Sequence, residues 1–377
     1  MTTLNLVLDE ILPVGSSDLS RYARELSRAL VEHAPAGCSV EGIIGSSPEK
    51  DYAEIEATVP GLHGLFKSAL TRRDLTTAWQ HGFTPVPAGM IHAPSLFAPL
   101  RNHDRLNAPH SQISVTVHDI SAWTHPEVLT PRQVSWTKAM AQRAFKYADA
   151  VVVPTHAMAA VLQDILPFGD RVRVLGAGAG RSLAPQPDAE ERAARLELPD
   201  AYLLTSGAAA RGAGFEQLLS AMALQREIDL PLLVIDPELE PKAMESAIVA
   251  ARLPTSRVRA LPQPSDADLS VVLSRARAFI YPSELVDFGM PMLEAFRLGV
   301  AVIHSDAAPL VEIAGEAGLA VPAGDAAEYP RLLGESIANV VEDNELRSRL
   351  GILGADRARM FTWRAPAEAI WQLHADL

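Results

Sequence analysis

Short apolar runs alternate with amphipathic helical patterns along almost the whole chain, and this alternation constrains the fold more than any other feature. In the first half, residues 19–30 carry apolar side chains at positions i, i+3, i+4, i+7 and i+11, which predicts a helix. Further helices are predicted at 131–147 and 156–166. The apolar runs that predict strands are Leu4–Leu8, Ser39–Ile44, Met90–His92, Ile113–His118, Ala150–Val153 and Arg171–Leu175. Strands that alternate with helices indicate a parallel, doubly wound α/β sheet.

The second half repeats the pattern, with predicted helices that start near Phe215, Asp266 and Pro291. Its predicted strands are Ala201–Ser206, Leu232–Ile235, Arg257–Leu261, Ala276–Tyr281, Val300–His304 and Leu319–Val321. A chain of 377 residues is long for one core, so two domains are expected. We predict domains at 1–176 and 200–360, joined by a Gly-, Ala- and Pro-rich linker at 177–199. A last helix at about 361–377 is expected to pack back on the first domain. Ligands of such sheets bind outside the carboxyl ends of the strands, here in a cleft between the domains.

Composition excludes several classes of protein. A 48% hydrophobic, 21% charged chain can bury a sizeable core. The net charge of −13 argues against nucleic acid as a partner and against strong binding to an anionic membrane. No apolar run approaches the roughly 20 residues of a membrane span, and no leader opens the chain. We therefore expect a cytoplasmic protein, with at most peripheral contact at the inner face of the membrane. The single cysteine, Cys38, excludes an intrachain disulfide.

The stretch Tyr281–Leu298 is the strongest candidate for a binding site. Phe288 and Gly289 form a predicted strand-to-helix turn, and Pro291 suits a first helical position. The backbone N–H groups of such a turn, at the positive end of a helix dipole, bind anions, of which phosphate is the commonest. Glu294 lies about one turn inside the helix, where a carboxylate can accept two sugar hydroxyls. The alternative is an ordinary strand–turn–helix unit.

Other turns at predicted strand ends are candidates for the same site. His118 and Asp119 end the run that begins at Ile113, and a histidine there can hydrogen-bond a substrate hydroxyl; the alternative is a structural histidine. Gly207–Gly214, GAAARGAG, permits close approach of a ligand to the backbone, and Arg211 can meet a phosphate. A plain turn is the alternative for this loop.

Two further motifs have structural interpretations that we favour. Asp266 and Asp268 have the DxD spacing that some glycosyltransferases use for a metal, but they also open a helix that Ser265 or Asp266 can cap. The glycine run at 176–180 suggests a dinucleotide loop, yet no helical pattern follows it directly. We interpret the first motif as a helix start and the second as a linker, and the histidines have no metal-ligand spacing.

Taken together, these segments resemble the family 4 (group 1 type) retaining glycosyltransferases, which have the GT-B fold of two Rossmann-like domains facing across a cleft. Residues 20–26 look like that family's first helix after its glycine-rich loop. The segments VTVHDISAWTHPEV from Val115 and ADAVVVPTHAM from Ala148 are similar to parts of its acceptor domain. The closest match is ARAFIYPSELVDFGMPMLEAFRLGVAVIHSD, from Ala276, to the core of its donor domain.

The resemblance implies transfer of a sugar from a nucleotide sugar to a glycan or lipid-linked acceptor, with retained configuration and no essential metal or other cofactor. In this comparison His118 matches the position near the transferred sugar. Gly289 and Met290 match the backbone donors to the diphosphate, and Phe288, in the same turn, is a further candidate for donor binding. Glu294 matches the second glutamate of an E-x7-E pair, which holds the ribose.

Several positions depart from the family pattern. The first glutamate of the pair falls at Val286, with Glu284 and Asp287 beside it as candidate replacements. The Arg and Lys that hold the diphosphate fall at Gly212 and Ala213, which leaves Arg211 displaced by one residue. The first glycine-rich loop is reduced to Gly15, Ser16 and Ser17, followed by Asp18. Two hypotheses follow: an active transferase with an altered donor site, or a degenerate relative that serves as a binding or scaffolding subunit of a glycosyltransferase partner.

Overall fold

The chain folds into two units in the computed structural model, which describes residues 2–12, 18–83, 86–103, 111–180, 183–207, 212–236, 239–285 and 288–377. Unit 1 comprises Met1–Ala177 together with Thr362–Leu377, and unit 2 comprises Gly178–Phe361. No helix in these ranges is both long and apolar enough to cross a membrane.

The described residues of unit 1 build a seven-stranded, fully parallel sheet. Its strands are β1 (Thr2–Val7), β2 (Cys38–Ile44), β3 (Gly64–Lys67), β4 (Gly89–Ala93), β5 (Ser111–Thr116), β6 (Ala150–Val153) and β7 (Val172–Val174). They lie in the order β3-β2-β1-β4-β5-β6-β7. The helices between them are α1 (Asp18–Glu32), α2 (Glu49–Thr58), α3 (Arg72–Gln80), α4 (Ser121–Thr124), α5 (Pro131–Tyr147) and α6 (His156–Ile165), with short 3-10 turns at Pro126–Val128 and Gly169–Arg171.

Local sequence explains where these elements begin and why the sheet is buried. Strand β6 reads AVVV and is buried along its whole length, as expected of a parallel strand covered on both faces. Helix α5 starts with a complete capping box between Thr130 and Gln133, with Pro131 at the first helical position. Thr71 and Thr155 cap α3 and α6, each through a side-chain oxygen that accepts from a first-turn amide.

Unit 2 begins with α7 (Ala189–Arg195), inside the stretch that the sequence predicts as a linker, and continues as a six-stranded parallel sheet over its described residues. The strands are β8 (Leu203–Ser206), β9 (Leu232–Ile235), β10 (Val258–Leu261), β11 (Ala278–Tyr281), β12 (Val302–Ser305) and β13 (Leu319–Val321), in the order β10-β9-β8-β11-β12-β13. The helices are α8 (Phe215–Leu224), α9 (Pro241–Ala250), α10 (Asp266–Ser274), α11 (Met290–Arg297), α12 (Ala308–Ala314), α13 (Tyr329–Glu342) and α14 (Asn344–Ala358), with a 3-10 turn at Thr255–Arg257. The predicted class, two doubly wound α/β domains, is confirmed.

The last helix, α15 (Arg364–Asp376), belongs to unit 1. The indole Nε1 of Trp371 donates to the carbonyl of Leu30 in α1 at 3.0 Å. His374 is buried beneath the sheet, where its Nε2 lies 2.9 Å from the hydroxyl of Ser114 and its Nδ1 lies 3.1 Å from Oε1 of Gln112. Side chains separated by some 260 residues in sequence thus hold the end of the chain on β5.

Candidate functional site

The strand order of unit 2 places its switch point between β8 and β11. From β8 the chain moves outward through β9 to β10, and from β11 it moves the opposite way through β12 to β13. Open α/β sheets bind ligands in the crevice outside the carboxyl ends of the strands at this point. The loops that follow β8 and β11 therefore define the first candidate site.

Two helices start at this switch point, and both start from a glycine in the left-handed conformation. Gly214 precedes α8 with φ +74°, and Gly289 precedes α11 with φ +73°. Among the described residues, no side chain caps the first turn of either helix. A Cβ atom at Gly214 would lie 2.4 Å from the carbonyl oxygen of Pro282, so only glycine lets the two loops approach this closely. First-turn N–H groups that no side chain caps can bind anions. In α11, Pro291 supplies no N–H and the amide of Met292 donates to the carbonyl of Gly289 at 3.0 Å, so the amides of Gly289 and Met290 are the candidates there.

Hydrogen bonds fix the two loops to each other. The amide of Glu284 donates to the carbonyl of Gly212 at 3.2 Å, and the hydroxyl of Ser283 lies 3.3 Å from the same oxygen and 2.8 Å from the carbonyl of Leu285. The Tyr329 hydroxyl donates to the carbonyl of Pro282 at 2.9 Å. Because these contacts are buried or partly buried, the loops form a rigid platform rather than two independent turns.

Gly212 and Ala213, where the family pattern has two cationic residues, lie inside this platform. Gly212 has φ +79°, and a Cβ there would lie 2.4 Å from Cδ1 of Leu285. Ala213 is only 8% exposed. A long charged side chain therefore does not fit at 212 unless Leu285 moves, so the departure seen in the sequence is built into the packing.

Glu294 lies on the buried face of α11, with 3% of its surface exposed. The backbone of Gly180 passes beside it, and a Cβ at Gly180 would lie 3.3 Å from Oε1 of Glu294. The glycine run that the sequence analysis assigned to a linker thus borders the predicted ribose-binding carboxylate.

The other residues predicted for this site have different positions. Met290 and Phe288 are each 3% exposed, and the Phe288 ring packs edge-on against Phe361 at 6.2 Å. Glu284 is exposed. Burial raises the pKa of the Tyr329 hydroxyl, and the charges of Glu284 and of Asp306, at the end of β12, raise it further. Asp306 was not predicted from the sequence. Arg211, Val286 and Asp287, and the loop residues Gly15 and Ser16 of unit 1, lie outside the described residues.

Unit 1 has its own switch point, between β1 and β4, because the chain moves outward from β1 to β3 and then from β4 to β7. His118 and Asp119 follow β5, the strand next to β4. They lie at the same edge of the sheet as the ends of β1 and β4. His118 therefore follows a strand, as predicted, while its role stays a prediction.

His118 is held in one tautomer. Its Nε2 lies 2.8 Å from the carbonyl oxygen of Pro94, which can only accept, so Nε2 carries the hydrogen. Burial lowers the pKa of the ring to about 4, although Glu10 and Asp119 act in the opposite direction. The Tyr22 ring packs edge-on against it, with centroids 4.4 Å apart. In the neutral ring Nδ1 is then a hydrogen-bond acceptor, ready to receive a ligand hydroxyl.

Asp119, which was predicted as a site residue, also has a structural role. Its Oδ1 accepts a hydrogen bond from the amide of Ser121 at 2.6 Å, which starts the short helix α4. This is the turn geometry that Asp commonly stabilises. The second carboxylate oxygen makes no hydrogen bond within the ranges the structure describes.

Four residues that the sequence analysis missed complete the unit 1 crevice. Oε2 of Glu10 accepts from Nη2 of Arg72 at 2.7 Å, and Oε1 accepts from the Ser95 hydroxyl at 2.9 Å. Asp9 is almost fully buried and accepts from the amide of Gly45, and burial raises its pKa to about 6. The two acidic residues could have been found from their position, directly after the first predicted strand.

No group of three or more potential metal ligands occurs among the residues that the structure describes. The DxD pair has the structural role that we favoured. Ser265 caps α10 by accepting from the amide of Asp268, and the Asp268 carboxylate pairs with Arg192 and Arg195.

Two protein-family models and several characterised proteins match this chain. Residues 188–356 match the family model described as glycosyl transferases group 1, and residues 19–179 match the model described as glycosyltransferase family 4. The MMP alpha-(1->4)-mannosyltransferase of Mycolicibacterium hassiacum is 24% identical over 92% of this chain and 91% of that protein. The O-antigen chain mannosyltransferase B of Escherichia coli is 33% identical, but the match covers only 28% of this chain and 27% of that protein.

A solved structure shares the fold across the whole chain. The Anabaena protein HepE in complex with UDP-glucose superposes with a TM-score of 0.72, covers 100% of both chains and is 14% identical in sequence. At that identity the likeness concerns the fold alone.

Proposed function

We propose that this chain, a glycosyltransferase of the GT-B fold with a family 4 unit followed by a group 1 unit, transfers a sugar from a nucleotide-sugar donor to a glycan or lipid-linked acceptor, with retained configuration. The family matches and the relatives named as mannosyltransferases favour the enzyme over the scaffolding subunit. The fold neighbour that binds UDP-glucose supports a nucleotide sugar as the donor.

The observation that carries this proposal is the pair of glycine-started helices at the switch point of unit 2. Each helix N-terminus is equivalent to roughly half a positive charge, so the two together offset about one charge of a diphosphate. The N–H groups are fixed before the ligand arrives, because the loops are tied through Gly212 and Pro282. A preorganised site of this kind stabilises negative charge as it develops on a leaving group.

The transfer involves the donor, the acceptor and the residues of the unit 2 site. Glu294 accepts hydrogen bonds from the two ribose hydroxyls of the donor. The bond between the anomeric carbon and the diphosphate oxygen breaks with its electron pair on that oxygen, where the helix N-termini stabilise it. The acceptor oxygen forms the new bond on the same face of the sugar, and its proton passes to the departing phosphate oxygen. This route requires neither a metal nor an enzyme carboxylate at the anomeric carbon, unlike the two-carboxylate retaining hydrolases.

His118 assists through its neutral ring. With Nε2 committed to Pro94, Nδ1 accepts a hydrogen bond from a hydroxyl of the transferred sugar or of the acceptor. A ring whose pKa lies near 4 stays neutral at physiological pH, so it keeps this acceptor role without introducing a positive charge beside the oxocarbenium-like transition state.

The experiment is a transfer assay of the full chain in EDTA. UDP-glucose, GDP-mannose and ADP-glucose are each incubated with mannose, glucose and methyl mannoside, and release of nucleoside diphosphate is followed. Proton NMR of any product gives its anomeric configuration. We expect release from one donor class and a product with the anomeric configuration of the donor. Absence of release from every donor, or an inverted product, would contradict the proposal.

A further inference from the structure

The crevice at the switch point of unit 1 contains a cluster of which the function above uses only His118. We name Glu10, Arg72, Ser95, His118 and Asp119 the strand-end cluster. Resting on the proposed function, we propose that this cluster is the acceptor subsite, and that Glu10 makes it select an uncharged, polyhydroxylated acceptor over one that carries a phosphate on the same sugar ring.

Glu10 is fixed in place but not saturated. Its side chain is 10% exposed, and each carboxylate oxygen already accepts one hydrogen bond, from Arg72 at 2.7 Å and from Ser95 at 2.9 Å. A carboxylate offers about four lone-pair positions, so it can accept about two more hydrogen bonds. Ser95 is itself held, because its hydroxyl accepts from the amide of Phe97 at 3.0 Å. A carboxylate fixed in this way has lost its side-chain entropy before a ligand arrives.

The remaining groups of the cluster also accept hydrogen bonds. His118 presents Nδ1 as an acceptor, because Nε2 donates to Pro94. Asp119 uses one oxygen for Ser121 and keeps the other. A ligand that matches three acceptors must donate hydrogen bonds, as the hydroxyls of a sugar or polyol do. Phosphate oxygens accept, so they would leave these groups unpaired.

The charges favour the same ligand. Glu10 and Asp119 both lie close enough to His118 for their charges to raise its pKa, Asp9 lies beside Glu10, and Arg72 is the cation that the described part of the chain places in the cluster. The guanidinium of Arg72 bonds the Glu10 carboxylate and the carbonyl of Asp9 and lies over the Phe97 ring at 5.2 Å. The Arg72 side chain is 42% exposed against 10% for Glu10, but one cation does not balance two carboxylates, so the cluster keeps a net negative charge that opposes a phosphate.

Glu10 is thus a specificity-determining residue rather than a group that moves a proton. A merely structural role would change stability without changing which ligand is preferred. The test must therefore measure a preference between matched ligands, so that general loss of folding cannot imitate the effect.

The experiment is a ligand-observed NMR titration of the full chain with mannose and with mannose 6-phosphate. The variants are Glu10→Gln, which removes the charge at constant size, and Arg72→Gln, which removes the cation and keeps the carboxylate. Glu368→Gln is the matched control, because Glu368 pairs with Arg364 at the same distance of 2.7 Å on the surface of α15. Thermal unfolding of each variant confirms that it is folded.

We expect the wild type to bind mannose at least about tenfold more tightly than its 6-phosphate, as for a hydrogen bond to a charged group. Glu10→Gln should lose about tenfold in mannose affinity and most of the preference, Arg72→Gln should raise the preference, and Glu368→Gln should change neither. Tighter binding of the phosphate by the wild type, no detectable binding of mannose, or an unchanged preference in folded Glu10→Gln would each overturn the inference. If Glu10→Gln does not fold, the deciding variant is Arg72→Gln: a preference for mannose that does not rise in this variant would overturn the inference.

Nucleoside diphosphate binding, measured on the same samples, separates this inference from the proposed function. Retained nucleotide binding with no mannose preference contradicts only the acceptor subsite. The expected preference without nucleotide binding contradicts only the proposed function.

Discussion

Leu285 packs its side chain over the backbone of Gly212, and no Cβ fits between them. Gly212 belongs to the loop after β8 and Leu285 to the loop after β11, so this contact joins the two loops that lead into α8 and α11. The contact explains why a cationic residue is missing at position 212. The backbone there is left-handed, with φ +79°, and the space above it is filled by an apolar side chain.

The first prediction concerns this contact. Gly212→Ala should lower the free energy of unfolding by about 1–2 kcal/mol for the left-handed backbone and about 1 kcal/mol or more for the clash with Leu285. Gly207→Ala is the matched control, because Gly207 has φ +69° and the described residues place no atom within 4 Å of where its Cβ would lie, so only the backbone cost applies. Urea unfolding of both variants measures the difference. Equal destabilisation would show that Leu285 yields freely, and adding Leu285→Ala to Gly212→Ala should recover the excess.

The second prediction concerns Glu294. Glu294→Gln keeps the size of the side chain but removes the charge that we propose binds the ribose hydroxyls, so affinity for a nucleoside diphosphate should fall about tenfold or more. Calorimetric titration measures it. Glu335→Gln serves as the control, since Glu335 pairs with Arg331 at the surface of α13 in the same unit. An affinity of Glu294→Gln within about twofold of the wild type would remove Glu294 from the donor site.

The third prediction follows from the tautomer of His118. An Asn side chain places a polar atom near the position of Nδ1, whereas Gln reaches the position of Nε2. His118→Asn should therefore retain more transfer activity than His118→Gln, which keeps the bond to Pro94 but loses the acceptor that meets the ligand. We expect the Gln variant to lose about tenfold in rate, which corresponds to one hydrogen bond of about 1.4 kcal/mol. The reverse order would place the functional atom at Nε2.

The fourth prediction is the pH dependence of stability in unit 1. Burial lowers the pKa of His92 to about 3 and of His118 and His374 to about 4, from a usual value of 6.5. Between about pH 4 and 6.5 the unfolded chain therefore binds more protons at these histidines, and stability falls as the pH falls through that window. Asp9, whose pKa burial raises to about 6, acts in the opposite direction between 3.8 and 6.

Three histidines outweigh one aspartate, so we expect a loss of roughly 1–3 kcal/mol per pH unit below pH 6. Urea unfolding at pH 7, 6 and 5 measures this slope. His374→Gln removes one of the three groups and should make the slope shallower. A slope that is flat, or that this substitution leaves unchanged, would show that the histidines are protonated in the folded protein.

Sequence alone predicted the elements whose signals are local. The turn at Phe288 and Gly289, the start of α8 at Phe215 and the position of His118 after a strand all follow from short apolar runs and the residues that end them. The two parallel sheets were also predictable, because parallel strands need crossover connections and the sequence shows helices between its strands. The short strand β3 and helices α2 and α3 were missed, because β3 spans only four residues and each of the two helices buries only two side chains.

The contacts between distant residues were not predictable. Glu10 and Ser95 are 85 residues apart, and they meet because β1 and β4 are neighbours at the switch point. Gly180 lies beside Glu294, although the two are far apart in the sequence and no periodic pattern links them. Leu285 packs on Gly212 because glycine permits the positive φ at that position. Such pairs depend on which strands are adjacent and on side-chain packing, neither of which a single sequence specifies.

We propose that the helix N-termini at Gly214 and Gly289 hold the diphosphate without a metal, and the contribution of this group to binding can be measured directly. Calorimetric titration of the full chain in EDTA should compare UDP with uridine, GDP with guanosine and ADP with adenosine. We predict that, for the base the protein accepts, the diphosphate binds about a hundredfold or more tightly than the nucleoside, or about 2.7 kcal/mol. Equal affinities for diphosphate and nucleoside, or no binding of any of the six, would contradict the account.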